Sequence, residues 1–252
     1  MRSIVLPLLR DKSVIAIGKD RLSALRLHSG KVIAKQSLPI SGDVLPALSE
    51  FLKEILFKKT DATVILSNHF MRYAVLPWNE TYLSDKEMLA IAQHRFAENY
   101  GDGWEIRLND SAAQAPILAC ATPKDLISGV LAKFSSSGIR LKSIQPYLMH
   151  AFNSARKKIP SEPAWFVLEE NGLFCIARIG NGQWKSVRLL RSEKWEEAML
   201  AIEREALMSE EKVGQKIYLC SYSPKKTASD PWSLIPLELS LLPSILSDDA
   251  KV

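Results

Sequence analysis

The chain is predicted to be an α/β protein whose core is one β-β-β-α-β unit used twice. Three observations predict this. The stretches VIAIGKDRLSALRLHSGKVIAKQSLP (14–39) and WFVLEENGLFCIARIGNGQWKSVRLL (165–190) share rhythm and length. Asp20 meets Asn171 at the first turn and Gly30 meets Gly182 at the second, offsets of 151 and 152 residues. A fixed offset of this kind is the mark of an internal repeat. In both stretches, short β-rich runs are separated by turn residues, which reads as two linked hairpins. Each stretch is followed by an amphipathic helical pattern and one more β-rich run.

The elements follow in order. Ser13–Ile17, Arg21–His28 and Lys31–Ile40 read as antiparallel strands around the turns at Gly18-Lys19-Asp20 and Ser29-Gly30. Asp43 caps a helix with Val44, Leu48, Phe51, Leu52 and Ile55 on one stripe. Thr63–Leu66 and Phe70–Leu76 read as strands. Ser84-Asp85-Lys86-Glu87 is a capping box, a hydroxyl for the third amide with a Glu reaching back. Met88, Ala92, Phe96 and Tyr100 recur every four residues behind it, and Gly101 stops the helix. Trp104–Leu108 and Ile117–Ala121 are strands, and Thr122-Pro123-Lys124-Asp125 opens a helix with Pro at its first position. Leu126, Ile127, Val130, Leu131 and Phe134 form its apolar stripe, and Gly138 closes it. A strand at Ile139–Ile144 and a helix at Pro146–Arg156 complete the first half.

After Ile159-Pro160-Ser161-Glu162-Pro163 the opening pattern returns. Ala164–Leu168, Leu173–Ile179 and Gln183–Leu190 read as strands, with Glu169-Glu170-Asn171-Gly172 as the intervening turn. Ser192 caps a helix burying Trp195, Ala198, Met199 and Ile202, and Lys216–Ser221 is the closing strand. The expected division is a first domain over 1–160, carrying an insertion at about 70–121, and a second over 161–252.

Composition narrows the function. Of 252 residues, 47% are hydrophobic and 24% charged, which is ordinary for a globular chain. The balance of 33 basic to 28 acidic residues is mildly positive, but the longest basic runs are pairs such as Lys58-Lys59 and Lys157-Lys158. A nucleic-acid partner is not expected from so scattered a charge. The N-terminal MRSIVLPLLRD is too short for a secretory apolar region, and no run reaches the length of a spanning helix. Cys120, Cys175 and Cys220 each sit in an apolar run and lack CxxC spacing, so they read as reduced core thiols. His28, His69, His94 and His150 lack metal-ligand spacing, and there is no GxSxG, GxxxxGK[ST] or strand-linked GxGxxG.

The order of elements resembles the actin, sugar-kinase and Hsp70 superfamily, a ribonuclease H-like core made twice. A narrower resemblance lies in MRYAVLPWNETYLSDKEMLAIAQHRFAENYGDGWEI (71–106). It looks like the same region of the actin-like cytoplasmic proteins of type IV pilus and type II secretion inner-membrane platforms, the PilM and GspL families. The matching positions are Pro77, Ser84 to Glu87, Phe96 and Tyr100. The resemblance implies a scaffold that is cytoplasmic and peripheral to the inner membrane. Such a scaffold binds the cytoplasmic tail of an inner-membrane partner and, in some members, an assembly ATPase. It touches the membrane only indirectly, with a homodimer among the open oligomeric states.

PilM-type members also bind ATP, between two hairpin turns that each carry an Asp, a Gly and small hydroxyl residues. Backbone amides must approach the phosphates, and a carboxylate must hold Mg²⁺ through water. Here the first turn, Ile17-Gly18-Lys19-Asp20-Arg21, has no Asp before Gly18 and no Ser or Thr after it. The second, Glu169-Glu170-Asn171-Gly172, has acid without the glycine-hydroxyl run and reads as a solvated hairpin tip. The adenosine-binding Gly-Gly of the superfamily is replaced by Ser221-Tyr222-Ser223-Pro224. The expectation is therefore a non-enzyme with a degenerate nucleotide site and no cofactor, metal or catalytic residue. An ATP-binding member of the superfamily is the alternative. For the partner, Arg72, Tyr73, Trp78 and Tyr82 are the candidate contacts, on an edge that takes a peptide by strand addition. The C-terminal Trp232–Pro243 is broken by prolines, and either packs back on the second domain or docks elsewhere.

Overall fold

The computed structural model describes residues 11–55, 60–78, 84–109, 114–209, 213–221 and 226–237. The first unit is β1 (Lys12–Ile17), β2 (Arg21–His28), β3 (Lys31–Pro39), α1 (Val44–Glu54) and β4 (Asp61–Leu66). The second is β9 (Ala164–Glu170), β10 (Leu173–Gly180), β11 (Gln183–Leu190), α5 (Trp195–Met208) and β12 (Lys216–Cys220). Their sheets have the same order, β3-β2-β1-β4 and β11-β10-β9-β12, antiparallel in the hairpins and parallel at β1–β4 and β9–β12. The α/β fold class and its duplicated core are as the sequence predicts.

The repeat extends to fine backbone detail. Ser29-Gly30 and Asn181-Gly182 both turn with two positive φ values (49° and 80°; 53° and 71°). That is the two-residue hairpin geometry matching the right-handed strand twist. A register shift between Arg26 and Leu27 has its counterpart between Arg178 and Ile179, 152 residues on. β1 and β9 are central strands covered on both faces, which explains why they are continuous apolar runs rather than alternating ones.

Between the units lie β5 (Arg72–Leu76), α2 (Asp85–Tyr100), β6 (Trp104–Leu108), β7 (Ile117–Pro123), α3 (Lys124–Ser137), β8 (Arg140–Pro146) and α4 (Tyr147–Ala155). β8 extends the first sheet beside β4. β5, β7 and β6 form a separate antiparallel sheet, which α2 covers with Met88, Ala92 and Phe96. Ser84 caps α2 by accepting from the Glu87 amide, while its hydroxyl donates to the Glu87 carboxylate. Tyr100 leaves the stripe because Gly101, at φ 75°, ends the helix there.

Three local expectations need correction. Pro123 is the residue before α3, not its first helical one, because β7 runs directly into the helix. The strand expected from Phe70 begins at Arg72, since Asn68–Phe70 form a 3-10 turn. At α5 the cap position is Lys194, and Ser192 accepts only the Lys194 amide. Of the C-terminal segment, the part up to Leu237 packs back on the second sheet, and the rest lies outside the described residues. β13 (Ser233–Pro236) pairs in parallel with β12, and Trp232 meets Trp165 edge to face at 6.4 Å.

One continuous core joins the two sheets. α4 lies between them, with Phe152 packed on Phe166 and Trp184 from the second unit. The three cysteines are free thiols, and burial pushes Cys120 up to about 11 and Cys220 up to about 12. At neutral pH they are inert protonated side chains.

Candidate functional site

The two hairpin tips face each other across the junction of the units, at the carboxyl ends of the parallel strands β1, β4 and β9. In open α/β sheets, ligands gather at such strand ends. The end of β4 leads straight from an apolar run into Ser67-Asn68-His69, a polar stretch that the 3-10 turn holds against the second unit.

Glu169 and Glu170 are not a solvated tip. Both belong to β9 and are buried, so the turn is only Asn171-Gly172. Successive strand residues point to opposite faces, so the two carboxylates enter different environments. Glu170 faces the first unit. Its carboxylate accepts from the Ser67 hydroxyl and, at 3.0 Å, from the Asn68 amide. Burial raises Glu170 to about 7, against the opposing pull of those hydrogen bonds from Ser67 and Asn68. The Asn68 side-chain Nδ2 lies close enough to favour the ionised carboxylate, yet finds no acceptor in hydrogen-bond geometry. Tyr73 donates to Asn68 Oδ1 at 2.7 Å.

The tips themselves are joined. Asn171 Nδ2 donates to Asp20 Oδ2 at 2.9 Å, linking the two residues that the internal repeat aligns. His69 Nε2 lies 2.9 Å from the Asn171 carbonyl. A carbonyl only accepts, so Nε2 carries the proton, and burial lowers the His69 pKa in favour of that neutral ring.

Glu169 enters the second unit's own core. It accepts from the Ser221 hydroxyl, and Lys226 Nζ stands 3.0 Å from its Oε1. Lys226 is itself held over the rings of Phe174 and Trp195, at 5.5 and 5.7 Å. Protein groups therefore surround this carboxylate at the end of β12. Of that stretch, Tyr222, Ser223 and Pro224 lie outside the described residues. No group of three or more His, Cys, Asp or Glu suited to a metal exists among the described residues.

The four expected partner residues separate. Tyr73 is 9% exposed and belongs to the core, so its side chain supports the junction from within instead of presenting itself to a partner. Its place on β5 aims it inward, which the alternation of one five-residue strand did not reveal. Arg72 is half-buried, donates to the Met71 carbonyl and lies over the rings of Tyr100 and Trp104 at 5.6 and 5.5 Å. Trp78 is 37% exposed beyond the end of β5. Tyr82 lies outside the described residues. Sequence reasoning missed Ser67 and Asn68. The polar run directly after an apolar parallel strand was a usable signal for them. For Lys226 there was none beyond its charge.

Two β-β-β-α-β units meeting at paired hairpins define an actin-like fold. The cytoplasmic domain of EpsL, an inner-membrane component of the type II secretion system of Vibrio cholerae, matches with a TM-score of 0.62 and 10% identity. The match covers 91% of this chain and 90% of that one. The PilM-PilN type IV pilus biogenesis complex matches with a TM-score of 0.59 and 12% identity, over 83% of this chain and 80% of that one. A Bacteroides thetaiotaomicron VPI-5482 protein with an actin-like ATPase fold and unknown function gives a TM-score of 0.60 and 11% identity, covering 88% and 84%. No protein-family model and no curated protein matches the chain. At these identities the likeness is one of fold. Among the described residues, no helix is long and apolar enough to cross a membrane.

Proposed function

We propose that this protein is a non-catalytic scaffold on the cytoplasmic side of an inner-membrane pilus or secretion platform, where it holds the cytoplasmic tail of a membrane partner. The observation that carries the non-catalytic part is the closed junction. Asp20–Asn171, His69–Asn171 and Ser67/Asn68–Glu170 join the turns that would otherwise part around a triphosphate. Of the two carboxylates at this junction, Asp20 accepts from Asn171, and Glu170 is buried and already accepts two protein donors. The scaffold part rests on the shared fold with the cytoplasmic domain of EpsL and with a chain of the PilM-PilN complex.

Thermal unfolding with and without excess ATP·Mg²⁺ tests the first part. A ligand at a hundred times its dissociation constant adds about 2.7 kcal/mol, or roughly 5–10 °C for a chain of this size. An unchanged Tm is expected. A rise of that order would reverse the reading in favour of an ATP-binding member of the superfamily.

For the tail, the best-suited place is a cavity of about 300 Å³ between the first sheet and the inserted sheet. Leu66, Met71, Ile127, Leu131 and Ile144 make it apolar, while Glu105 and Arg107 offer charges of both signs. β8 and β6 are outer strands of their sheets, with backbone groups open to an added strand. Leu131 is 51% exposed, so Leu131→Glu should change stability by no more than about 0.5 kcal/mol. The same change should weaken binding of synthetic tails from single-pass inner-membrane pilus or secretion proteins by about tenfold or more. Tail binding that ignores Leu131→Glu would place the contact elsewhere.

A further inference from the structure

A second surface lies on the other side of the insertion, away from the apolar cavity. β5 is an outer strand of the inserted sheet and β11 an outer strand of the second sheet, and the two run side by side. Two cavities, of about 420 and 320 Å³, open along this seam and share Tyr73, Tyr100 and Val187 as lining.

The charges along the seam are of one sign. Arg72, Arg188 and Arg191 line the larger cavity, beside the neutral ring of His69. Arg95 and Lys185 line the smaller. No Asp or Glu lines either one. Behind the wall, Glu205 of α5 lies 3.6 Å from Arg188 and 3.5 Å from Arg178, which offsets part of one charge. Asn68 lines the head of the larger cavity, with its buried Nδ2 close to the Glu170 carboxylate. An excess of donors and cations with no lining carboxylate calls for an anion.

The shape selects among anions. β5 and β11 approach each other closely along the seam, so a bound chain lies extended over their side chains and not between them as an added strand. β5 spans five residues, about 16 Å at ~3.3 Å per residue. Tyr73 is buried and the Arg72 guanidinium lies over one face of the half-exposed Tyr100 ring, so the lining favours ion-paired carboxylates over stacked bases.

We propose that the seam between β5 and β11 binds an acidic peptide segment in extended conformation, with its Asp and Glu side chains reaching Arg72, Arg188 and Arg191. The partner is thus a protein with an acidic strand or tail, bound separately from the apolar tail groove.

Fluorescence anisotropy on the full chain tests it, using a labelled peptide of about eight alternating Glu and Val residues and its Gln-for-Glu twin. The Glu peptide should bind about tenfold tighter or better, and more weakly as salt rises from about 50 to 300 mM. Arg188→Gln with Arg191→Gln should remove about tenfold of that affinity with the unfolding midpoint unchanged. Arg191→Gln alone, at an exposed position, should move binding in the same direction if the double variant folds poorly. Leu131→Glu should leave this binding intact, which separates it from tail capture. Equal binding of the two peptides, or indifference to the arginine changes, would overturn the proposal. So would tighter binding of an oligothymidylate of equal charge, which would make the seam a nucleic-acid surface.

Discussion

Replacing Lys226 with alanine should lower the free energy of unfolding by about 3–5 kcal/mol, the usual cost of stranding one member of a buried ion pair. Lys226 and Glu169 are 10% and 4% exposed at their side chains and lie 3.0 Å apart. Without the ammonium, the Glu169 carboxylate keeps the Ser221 hydroxyl but loses its countercharge. The aromatic faces of Phe174 and Trp195, which now meet a cation, would then border a carboxylate without its ammonium. Lys226→Met restores the packing and not the charge, so it should remain costly. Combining Lys226→Met with Glu169→Gln removes both charges while keeping an acceptor for Ser221, and should recover stability to within about 1 kcal/mol of the parent. Urea unfolding of the parent, Lys226→Met, Glu169→Gln and the double variant completes the cycle. Additive losses in the double variant would show that the pair is not what holds this corner together.

The second large effect concerns pH. Glu170 is raised from 4.5 in the free chain to about 7 in the fold, chiefly by burial. The folded state therefore holds this proton more tightly. The resulting stability is complete below about pH 4.5, declines as pH rises towards 7 and is flat above it. The full amplitude is about 3 kcal/mol, at ~1.36 kcal/mol per pKa unit. Glu170→Gln abolishes this slope. The difference in unfolding free energy between Glu170→Gln and the parent should grow by that amount, in favour of Gln, from about pH 4.5 to 7.5. Glu170→Ala behaves differently. It strands the Ser67 hydroxyl and the Asn68 amide in a buried gap, and should cost about 2–4 kcal/mol. Parallel pH profiles for the parent and Glu170→Gln would refute the titration. An undiminished stability of Glu170→Ala would remove the clasp itself.

Much of the fold could be read from local signals. The hairpin glycines at 30 and 182 occupy positive-φ turns, which other residues adopt only at a cost, so their spacing exposed the duplication. The Ser84–Glu87 cap, the Met88/Ala92/Phe96 stripe and the left-handed Gly138 behave as their residue types dictate. At Gly18 and at Glu169-Glu170 the residues differ from the phosphate-turn pattern of the family they resemble. What was misread there was the environment. Two adjacent acids at a turn signal normally mean solvent, yet β9 continues through both of them and buries each on its own face.

The sequence by itself thus determined the repeat and the order and most boundaries of its elements. These depend on backbone preferences and periodicities expressed within a few residues. Only the tertiary structure decided that Ser67 and Asn68 close on Glu170 about a hundred positions away, that Lys226 neutralises Glu169, and that β5 and β11 line one cationic seam. The reason is physical. Whether a carboxylate or guanidinium is solvated, paired or left facing a cleft depends on which surfaces meet when two units pack, and no local window of the chain contains both surfaces.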